Sequence, residues 1–358
     1  MSDDAGTDGI EARPVTAEQA QGVIGTGVGT AIELRWVDAG GTTLHDLSEL
    51  DALRSRDDGF VWLDVPEWTA QADDLLGDRL GFHPIALRDC RERNHTPRVH
   101  RYPDHLFLVI HAPLIGSGGH VHYLELDQFI GAGLLVTVHG PLNASVPLEE
   151  ALRETSQVIA RLQSGRLRPT SPFGLSYAIV STVARGEADL VADLARQVGL
   201  LEQRVMAATD EEPQQFLTSL FTARHELMTI KTMASQGGEI YRRAIKLATF
   251  APAESIALMD DLLDQYERVA NIAQAQLDFL VGVTDFYRAR TDTKMTTAAE
   301  RLAVIAALTL PITSLSSILG MNVIVYTHTH WVWLGFLLAV MIVMSALLLR
   351  WAHRQGWW

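Results

Sequence analysis

This chain of 358 residues has almost no cysteine and no excess of positive charge. Its one cysteine, Cys90, cannot form an intrachain disulfide, and there is no second cysteine with which to hold a metal. With 29 Lys and Arg against 43 Asp and Glu, the formal net charge is −14. Because nucleic-acid binding requires a basic surface, we expect no nucleic-acid partner. The sequence also lacks a Gly-x-x-x-x-Gly-Lys motif, which excludes a phosphate-binding loop of that type for nucleotide hydrolysis.

Charge is absent from two long apolar segments near the C-terminal end, residues 302–319 and 331–349. Each is close to the ~20 residues that an α-helix needs to cross the hydrocarbon core of a membrane. Only residues 320–330 separate them, so the pair is predicted to form a transmembrane hairpin.

The charges that flank this hairpin predict its orientation. Basic residues lie before the first span and after the second: Arg288, Arg290, Lys294, Arg301, Arg350 and Arg354. The intervening residues 323–330 contain no Lys or Arg, so we expect both termini in the cytoplasm of a multi-pass cell-membrane protein. The first residues are acidic and start no apolar run, so we expect no signal peptide.

The rest of the chain predicts an α/β region followed by very long helices. Strand-like runs occur at 31–37, 60–65, 106–112, 121–129 and 134–139, with helical patterns at 69–80 and 84–92. Helical patterns follow at 148–162, 172–206, 214–247 and from 255 into the first span, through Pro311. We predict an α+β membrane protein made of a disordered tail (1–28), a cytoplasmic α/β domain (29–145), a long-helix stalk (146–301), the hairpin (302–349, with an outer loop at 320–330) and a cytoplasmic tail (350–358).

The first span carries a stripe of small, apolar and hydroxyl side chains at helical spacing: Leu302, Ala306, Leu310, Thr313 and Ser317. Two helices cannot enclose a pore, so an ion path along this stripe requires a closed homo-oligomer. The spans contain no Asp or Glu, so an ion on this path would meet no carboxylate to replace its water ligands. Packing between membrane helices explains the same stripe equally well.

Gly320-Met321-Asn322, at the outer end of the first span and followed by a second span, resembles the signature of the CorA family of divalent-cation channels. The segment Gly81-Phe82-His83-Pro84, then Arg88-Asp89, is similar to that family as well. The resemblance implies a funnel-shaped homopentamer that passes Mg²⁺, and often Co²⁺ or Ni²⁺, without enzymatic activity. It also implies that Gly320, Met321 and Asn322 form the selectivity filter, where amide oxygens accept hydrogen bonds from the ion's water shell.

The same resemblance implies a regulatory Mg²⁺ site in the cytoplasmic part, built from Asp89, Asp285 and, as a weaker match, Asp261. Carboxylates that face each other across a subunit interface repel, and a bound dication relieves this repulsion. Mg²⁺ is then both cargo and regulator, no organic cofactor is expected, and the partners are lipid, divalent cations and further copies of the chain. The alternative is that these acids are ordinary solvated helix residues.

The sequence departs from the family pattern in the outer loop, which is not acidic and instead contains His328 and His330. Imidazole favours zinc, nickel and cobalt, so these histidines are a candidate outer metal site. Two other functions stay open: a zinc transporter of the related branch, which usually carries Gly-Val-Asn, and a membrane-anchored cation sensor that conducts nothing.

Overall fold

The computed structural model describes residues 31–141, 143, 145–207, 213–320 and 331–354. Within these residues the N-terminal part forms a seven-stranded sheet of order β2-β1-β3-β7-β6-β5-β4. The strands are Glu33–Asp38 (β1), Gly41–His45 (β2), Gly59–Val65 (β3), Arg98–Arg101 (β4), His105–Ile115 (β5), Val121–Gly131 (β6) and Leu134–His139 (β7). Strands β3 and β7 pair in parallel, and the other neighbouring pairs are antiparallel.

The described helices become much longer after the sheet. Their bounds are Leu50–Arg54 (α1), Ala70–Asp73 (α2), Pro84–Arg91 (α3), Leu148–Ala151 (α4), Arg153–Gln163 (α5), Pro172–Met206 (α6), Pro213–Leu247 (α7), Ala253–Gly320 (α8) and Trp331–Arg354 (α9). A π-helical turn, Asp74–Arg79, continues α2. The fold class predicted from the sequence is confirmed: an α/β region, long helices and two C-terminal apolar helices.

Helices cover both faces of the sheet. On one face, Phe107 and Phe129 belong to a buried cluster with Leu76 of the π-helical turn and Ala86 of α3. Neighbouring strand residues point to opposite faces, and Gln128 accordingly accepts a hydrogen bond from Ser176 of α6 at 2.6 Å on the other face. A sheet covered on both sides has long apolar strands, which explains why the sequence predicted β3, β5, β6 and β7.

Two predicted helices differ from the observed elements, and two observed strands were not predicted. The helix predicted at 69–80 is a short α-helix that widens into a π-helical turn, and the one predicted at 148–162 is interrupted at Leu152. Strands β2 and β4 were not predicted. They are the two edges of the sheet, where one side of a strand has no partner and apolar alternation is not required.

Helix α8 runs for 68 residues and continues through Pro311, as predicted. Proline has no N–H, so the carbonyl of Ala307 loses its helical donor. The nearby hydroxyls do not replace it: Thr309 Oγ1 donates to the Ile305 carbonyl at 2.9 Å, and Thr313 Oγ1 donates to the Thr309 carbonyl at 2.8 Å. The proline is nevertheless accommodated inside a continuous helix.

The described chain divides into two compact units, each made of separate segments. The sheet unit comprises the described residues up to Val191 together with Thr229–Ile272. The span unit comprises Ala192–Met228 and the described residues from Ala273 onward. The sequence did not predict this discontinuous division, because α6, α7 and α8 each contribute to both units.

Candidate ion-conduction and metal sites

The predicted stripe on α8 is exposed in the single chain. Leu302 is 67% exposed and Leu310 is 63% exposed, and Ala306, Thr313 and Ser317 are exposed as well. The steps of three or four residues place all five on one side of the helix. This side is therefore available to lipid, to another copy of the chain or to an aqueous path.

A different side of α8 packs toward α9. Val304, Leu308 and Ile312 are half-buried, and Ile312 lines a cavity together with α9 residues that include Met341 and Ser345. Each of these α8 residues lies two positions after a stripe residue, which is about 200° around a helix of ~3.6 residues per turn. The stripe therefore points away from the contact with α9, so packing among the described residues does not explain it.

Helices α8 and α9 both contain long apolar segments. The helical segment Ala253–Ser314 contains a window long and apolar enough to cross a membrane, and that window is 0% buried. Leu338–Trp351 is a shorter apolar helical segment within α9. Among the described residues, one long and one shorter apolar segment are consistent with the hairpin predicted from the sequence.

The predicted filter lies at the end of α8. Gly320 is the last residue of that helix. Met321 and Asn322 lie outside the described residues, as do His328 and His330 of the predicted outer metal site.

Asp89 is not a solvated helix acid. It lies on α3 and is 3% exposed, with Arg98 Nη1 at 3.0 Å and Arg88 Nη2 at 3.5 Å from its carboxylate oxygens. Its backbone carbonyl accepts a hydrogen bond from Asn94 Nδ2 at 2.6 Å. Two guanidinium groups thus neutralise this carboxylate, and a dication would have to compete with them.

The other two predicted regulatory acids are exposed. Asp285 belongs to the span unit, and its nearest described cation is Arg288, one helical turn away at 3.9 Å. Asp261 belongs to the sheet unit and accepts hydrogen bonds from Tyr177 Oη and Gln265 Nε2, both at 2.7 Å. Within the described residues, no group of three or more His, Cys, Asp or Glu side chains is arranged to hold a metal.

Sequence reasoning missed a buried acidic pair on β6. Both Asp127 oxygens are buried without a hydrogen-bond partner among the described residues, and Glu125 accepts hydrogen bonds from the Asn94 backbone N–H and side-chain amide, each at 2.7 Å. Burial, and then the charge of Glu125, raises the pKa of Asp127 well above its usual value. Burial and then the Asp127 charge also raise the pKa of the Cys90 thiol. Acids at alternate positions of an apolar strand were the available signal.

A second missed group lies among the helices of the sheet unit. Glu187 of α6 is fully buried, and both its carboxylate oxygens lack a partner among the described residues. The hydroxyl groups of Tyr241 and Tyr266 are also buried without a hydrogen-bond partner among the described residues. Their two rings stack, with centroids 6.0 Å apart. Burial raises the pKa of Glu187, and burial followed by the Glu187 charge raises that of Tyr266.

One buried constellation resembles hydrolase chemistry but is structural. Thr137 Oγ1 donates to Asp64, and His139 Nε2 lies 3.3 Å from the same carboxylate. His139 Nδ1 donates to the Ala151 carbonyl at 3.0 Å, and Trp62 Nε1 donates to Thr137 Oγ1 at 3.0 Å. Asp64, Thr137 and His139 are all buried, so no substrate reaches the hydroxyl. The group cross-links β3, β7 and α4.

Comparisons with known proteins converge on one family. The family model described as "CorA-like Mg2+ transporter protein" matches residues 57–354. The chain is 25% identical over 333 residues to "Putative metal ion transporter YfjQ" of Bacillus subtilis, covering 88% of this chain and 96% of that protein. It is 22% identical over 285 residues to "Cobalt/magnesium transport protein CorA" of Thermotoga maritima, covering 79% of this chain and 78% of that protein.

A solved structure has the same fold over nearly the whole chain. The complete CorA magnesium transporter from Methanocaldococcus jannaschii superposes with a TM-score of 0.75, covering 92% of this chain and 99% of that one. At 15% sequence identity, this likeness concerns the fold alone.

Proposed function

This chain belongs to the CorA-like Mg²⁺ transporter family, and we propose that it conducts hydrated Mg²⁺, and also Co²⁺ or Ni²⁺, into the cell. Members of the family are ion transporters, so the chain is not an enzyme. The observation that carries the proposal is the uncharged, hydroxyl-bearing stripe of α8, which is exposed and points away from α9.

The path we propose lies on the axis of a homo-oligomer, a homopentamer by family resemblance. Copies of α8 would turn Leu302, Ala306 and Leu310 toward the axis as an apolar constriction that closes by dewetting. Thr313 and Ser317 would follow as rings of hydroxyls, and Gly320, Met321 and Asn322 would form the entrance. Without carboxylates to replace its water ligands, Mg²⁺ would keep its hydration shell. The membrane potential would favour entry by ~2.3 kcal/mol per charge per 100 mV.

The arrangement proposed along the chain follows the sequence prediction. The tail (1–28), α/β domain (29–145), stalk (146–301) and C-terminal tail (350–358) would lie in the cytoplasm. The hairpin (302–349) would span the membrane, with its loop (320–330) outside.

Flux through proteoliposomes tests the conduction proposal. We expect the full-length protein to admit Mg²⁺, Co²⁺ and Ni²⁺ and to favour these ions over Zn²⁺. Asn322→Ala should lower Mg²⁺ influx at least tenfold, because the amide ring that holds the ion's water shell is lost. Asn271→Ala makes the same chemical change at an exposed position of α8 in the sheet unit and should retain the flux.

The alternatives have their own outcomes in this assay. Preferred uptake of Zn²⁺ would identify the zinc-transporting branch instead. No flux of any dication by the reconstituted wild type would leave the non-conducting sensor as the better interpretation.

We also propose that internal Mg²⁺ closes the pore by binding between subunits, with Asp285 as one ligand and Asp89 of a neighbouring copy as another; Asp261 is a weaker candidate. The exposure of Asp285 supports this, since its carboxylate is free to face another chain. Asp285→Asn should raise the internal Mg²⁺ concentration needed for half-inhibition severalfold. Asp278→Asn, on the same helix, should not, because Asp278 already accepts a hydrogen bond from Gln274. If both variants need the same internal Mg²⁺ concentration for half-inhibition, Asp285 is not a ligand of the regulatory site.

A further inference from the structure

The sheet unit contains a cavity of about 560 Å³ between α5, α6 and the N-terminal part of α8. Three arginines line it, one from each helix: Arg161, Arg185 and Arg268. Among the described residues that line it, Asp261 contributes the single carboxylate. This volume falls within the ~300–1,000 Å³ typical of small-molecule sites.

Within the described residues no carboxylate forms a salt bridge with these three guanidinium groups, unlike those of Arg79 and Arg98 in the same unit. Arg79 pairs with Asp51 at 2.8 Å, and Arg98 pairs with Asp89 at 3.0 Å. In the cavity, Asp261 is already held by Tyr177 and Gln265 at 2.7 Å. Three positive charges thus face one engaged negative charge, and the unmatched charge favours an anion.

Neutral polar groups lie on the same wall, with their N–H and O–H groups already engaged. The Tyr177 hydroxyl and the Gln265 amide are fixed by their bonds to Asp261, and Gln265 Nε2 also donates to Ser181 Oγ at 3.2 Å. Alanines of α6, Ala178, Ala184 and Ala188, form an apolar part of the lining. The cavity therefore combines guanidinium groups, oriented polar groups and apolar surface, which is the composition of a ligand site.

We propose that this cavity binds a small, multiply charged phosphate anion. A guanidinium group presents planar paired donors that match phosphate oxygens, and three of them suit a diphosphate or triphosphate better than a single carboxylate. The same arginines repel a metal ion at Asp261, which is why it is the weaker of the regulatory candidates, and in this cavity that acid orients Tyr177 and Gln265. The proposal is independent of conduction, because it concerns binding in the sheet unit alone.

Isothermal titration of the full-length protein in detergent tests this site, with inorganic pyrophosphate and ATP as probes and a chelator present to exclude Mg²⁺. We expect at least one probe to bind, with affinity that falls as NaCl rises. Arg185→Gln and Arg268→Gln should each weaken that binding at least tenfold, and Arg268→Lys should weaken it less. Both arginines are exposed, so the variants should fold, which circular dichroism verifies. Arg243→Gln, at an exposed position of α7 outside the cavity, is the matched control and should bind as wild type.

Three results would overturn the proposal. The first is no binding of either probe, and the second is binding that the cavity variants leave unchanged. The third is equally strong binding of citrate, which would replace phosphate recognition with general anion attraction. Ion flux is not measured in this experiment, so its failure leaves the conduction proposal untouched.

Discussion

The sheet unit buries large apolar side chains, whereas the membrane-crossing part of the span unit exposes them. In the sheet unit, Trp62, Leu63 and Phe107 are 0% exposed. In the membrane-crossing part of the span unit, Leu310 is 63% exposed and Val332 is 84% exposed. A water-soluble core closes on itself, whereas these helices leave an apolar surface that only lipid or further subunits can cover. The sheet unit therefore buries its own apolar side chains, and the exposed apolar surface of the span unit fits the proposed membrane assembly.

Charge follows the reverse pattern. The sheet unit buries carboxyl groups that have no partner among the described residues, at Asp127 and Glu187. The exposed stripe of α8 contains hydroxyl groups and no acid. Burial raises the pKa of both carboxyl groups, which favours their neutral forms. An ion path built on hydroxyls instead avoids tight ligands that would retain a dication.

The largest expected effect comes from opening the sheet core. Phe107→Ala should destabilise the sheet unit by ~3–5 kcal/mol, because it removes a fully buried ring and leaves a cavity. Leu302→Ala should change stability by less than ~0.5 kcal/mol, because Leu302 is mostly exposed. Thermal unfolding of the full-length protein in detergent, followed by near-ultraviolet circular dichroism, measures both. A comparable loss for Leu302→Ala would show that the stripe is part of a folding core.

Introducing one aspartate into each span tests whether the exposed positions of the two helices have the same surroundings. Val343, near the middle of α9, is 57% exposed, and Leu310 lies near the middle of the first span. If Val343 faces lipid, Val343→Asp should cost ~2.5–3.5 kcal/mol in insertion and reduce the folded oligomer strongly. If Leu310 faces the pore axis, Leu310→Asp brings water into the constriction and should insert far better. The yield of oligomer on size-exclusion chromatography is the measurement, and equal yields would contradict the different surroundings assigned to the two positions.

The smallest expected effect is a pH dependence from Glu187. Burial raises its folded-state pKa above the ordinary 4.5, so between these two pH values the folded chain retains a proton that the unfolded chain releases. Stability is therefore lost as pH rises from about 4.5 toward the folded pKa, by at most ~1.4 kcal/mol per pH unit. Glu187→Gln stays neutral, so its melting temperature should exceed that of wild type by more at pH 7.5 than at pH 5. Asp127 and Glu125 contribute the same pH dependence to wild type and to Glu187→Gln. The difference in melting temperature between the two proteins therefore removes that contribution. A difference that does not change with pH would place the Glu187 carboxyl in water.

Much of the fold could be predicted from the sequence because its signals are local. The bounds of α6 were predicted as they are observed, since Pro172 suits the first turn of a helix and apolar spacing continues to Met206. Strand β7 was also predicted with its observed bounds. The edge strands were missed because β4 has only Val99 buried among its four residues.

The sites were harder to predict because they depend on contacts between distant segments. The burial of Asp89 follows from its pairing with Arg98 on β4, a strand that was not predicted. Glu187 was within reach of sequence reasoning, since it lies on the apolar side of α6 with Val180, Val183 and Val191. The regulatory and filter residues rest on family resemblance, because their proposed partners belong to other copies of the chain.

The polar edges of the sheet also restrict how copies of this protein meet. Strand β4 ends the sheet with Arg98, His100 and Arg101 exposed, and β2 ends the other side with five residues, three of them Thr, Thr and His. Short strands with charged or polar side chains resist the addition of a neighbour's strand. In the proposed homo-oligomer, these edges would keep neighbouring subunits from joining their sheets into a continuous ribbon, and contacts between subunits would then be left to helices.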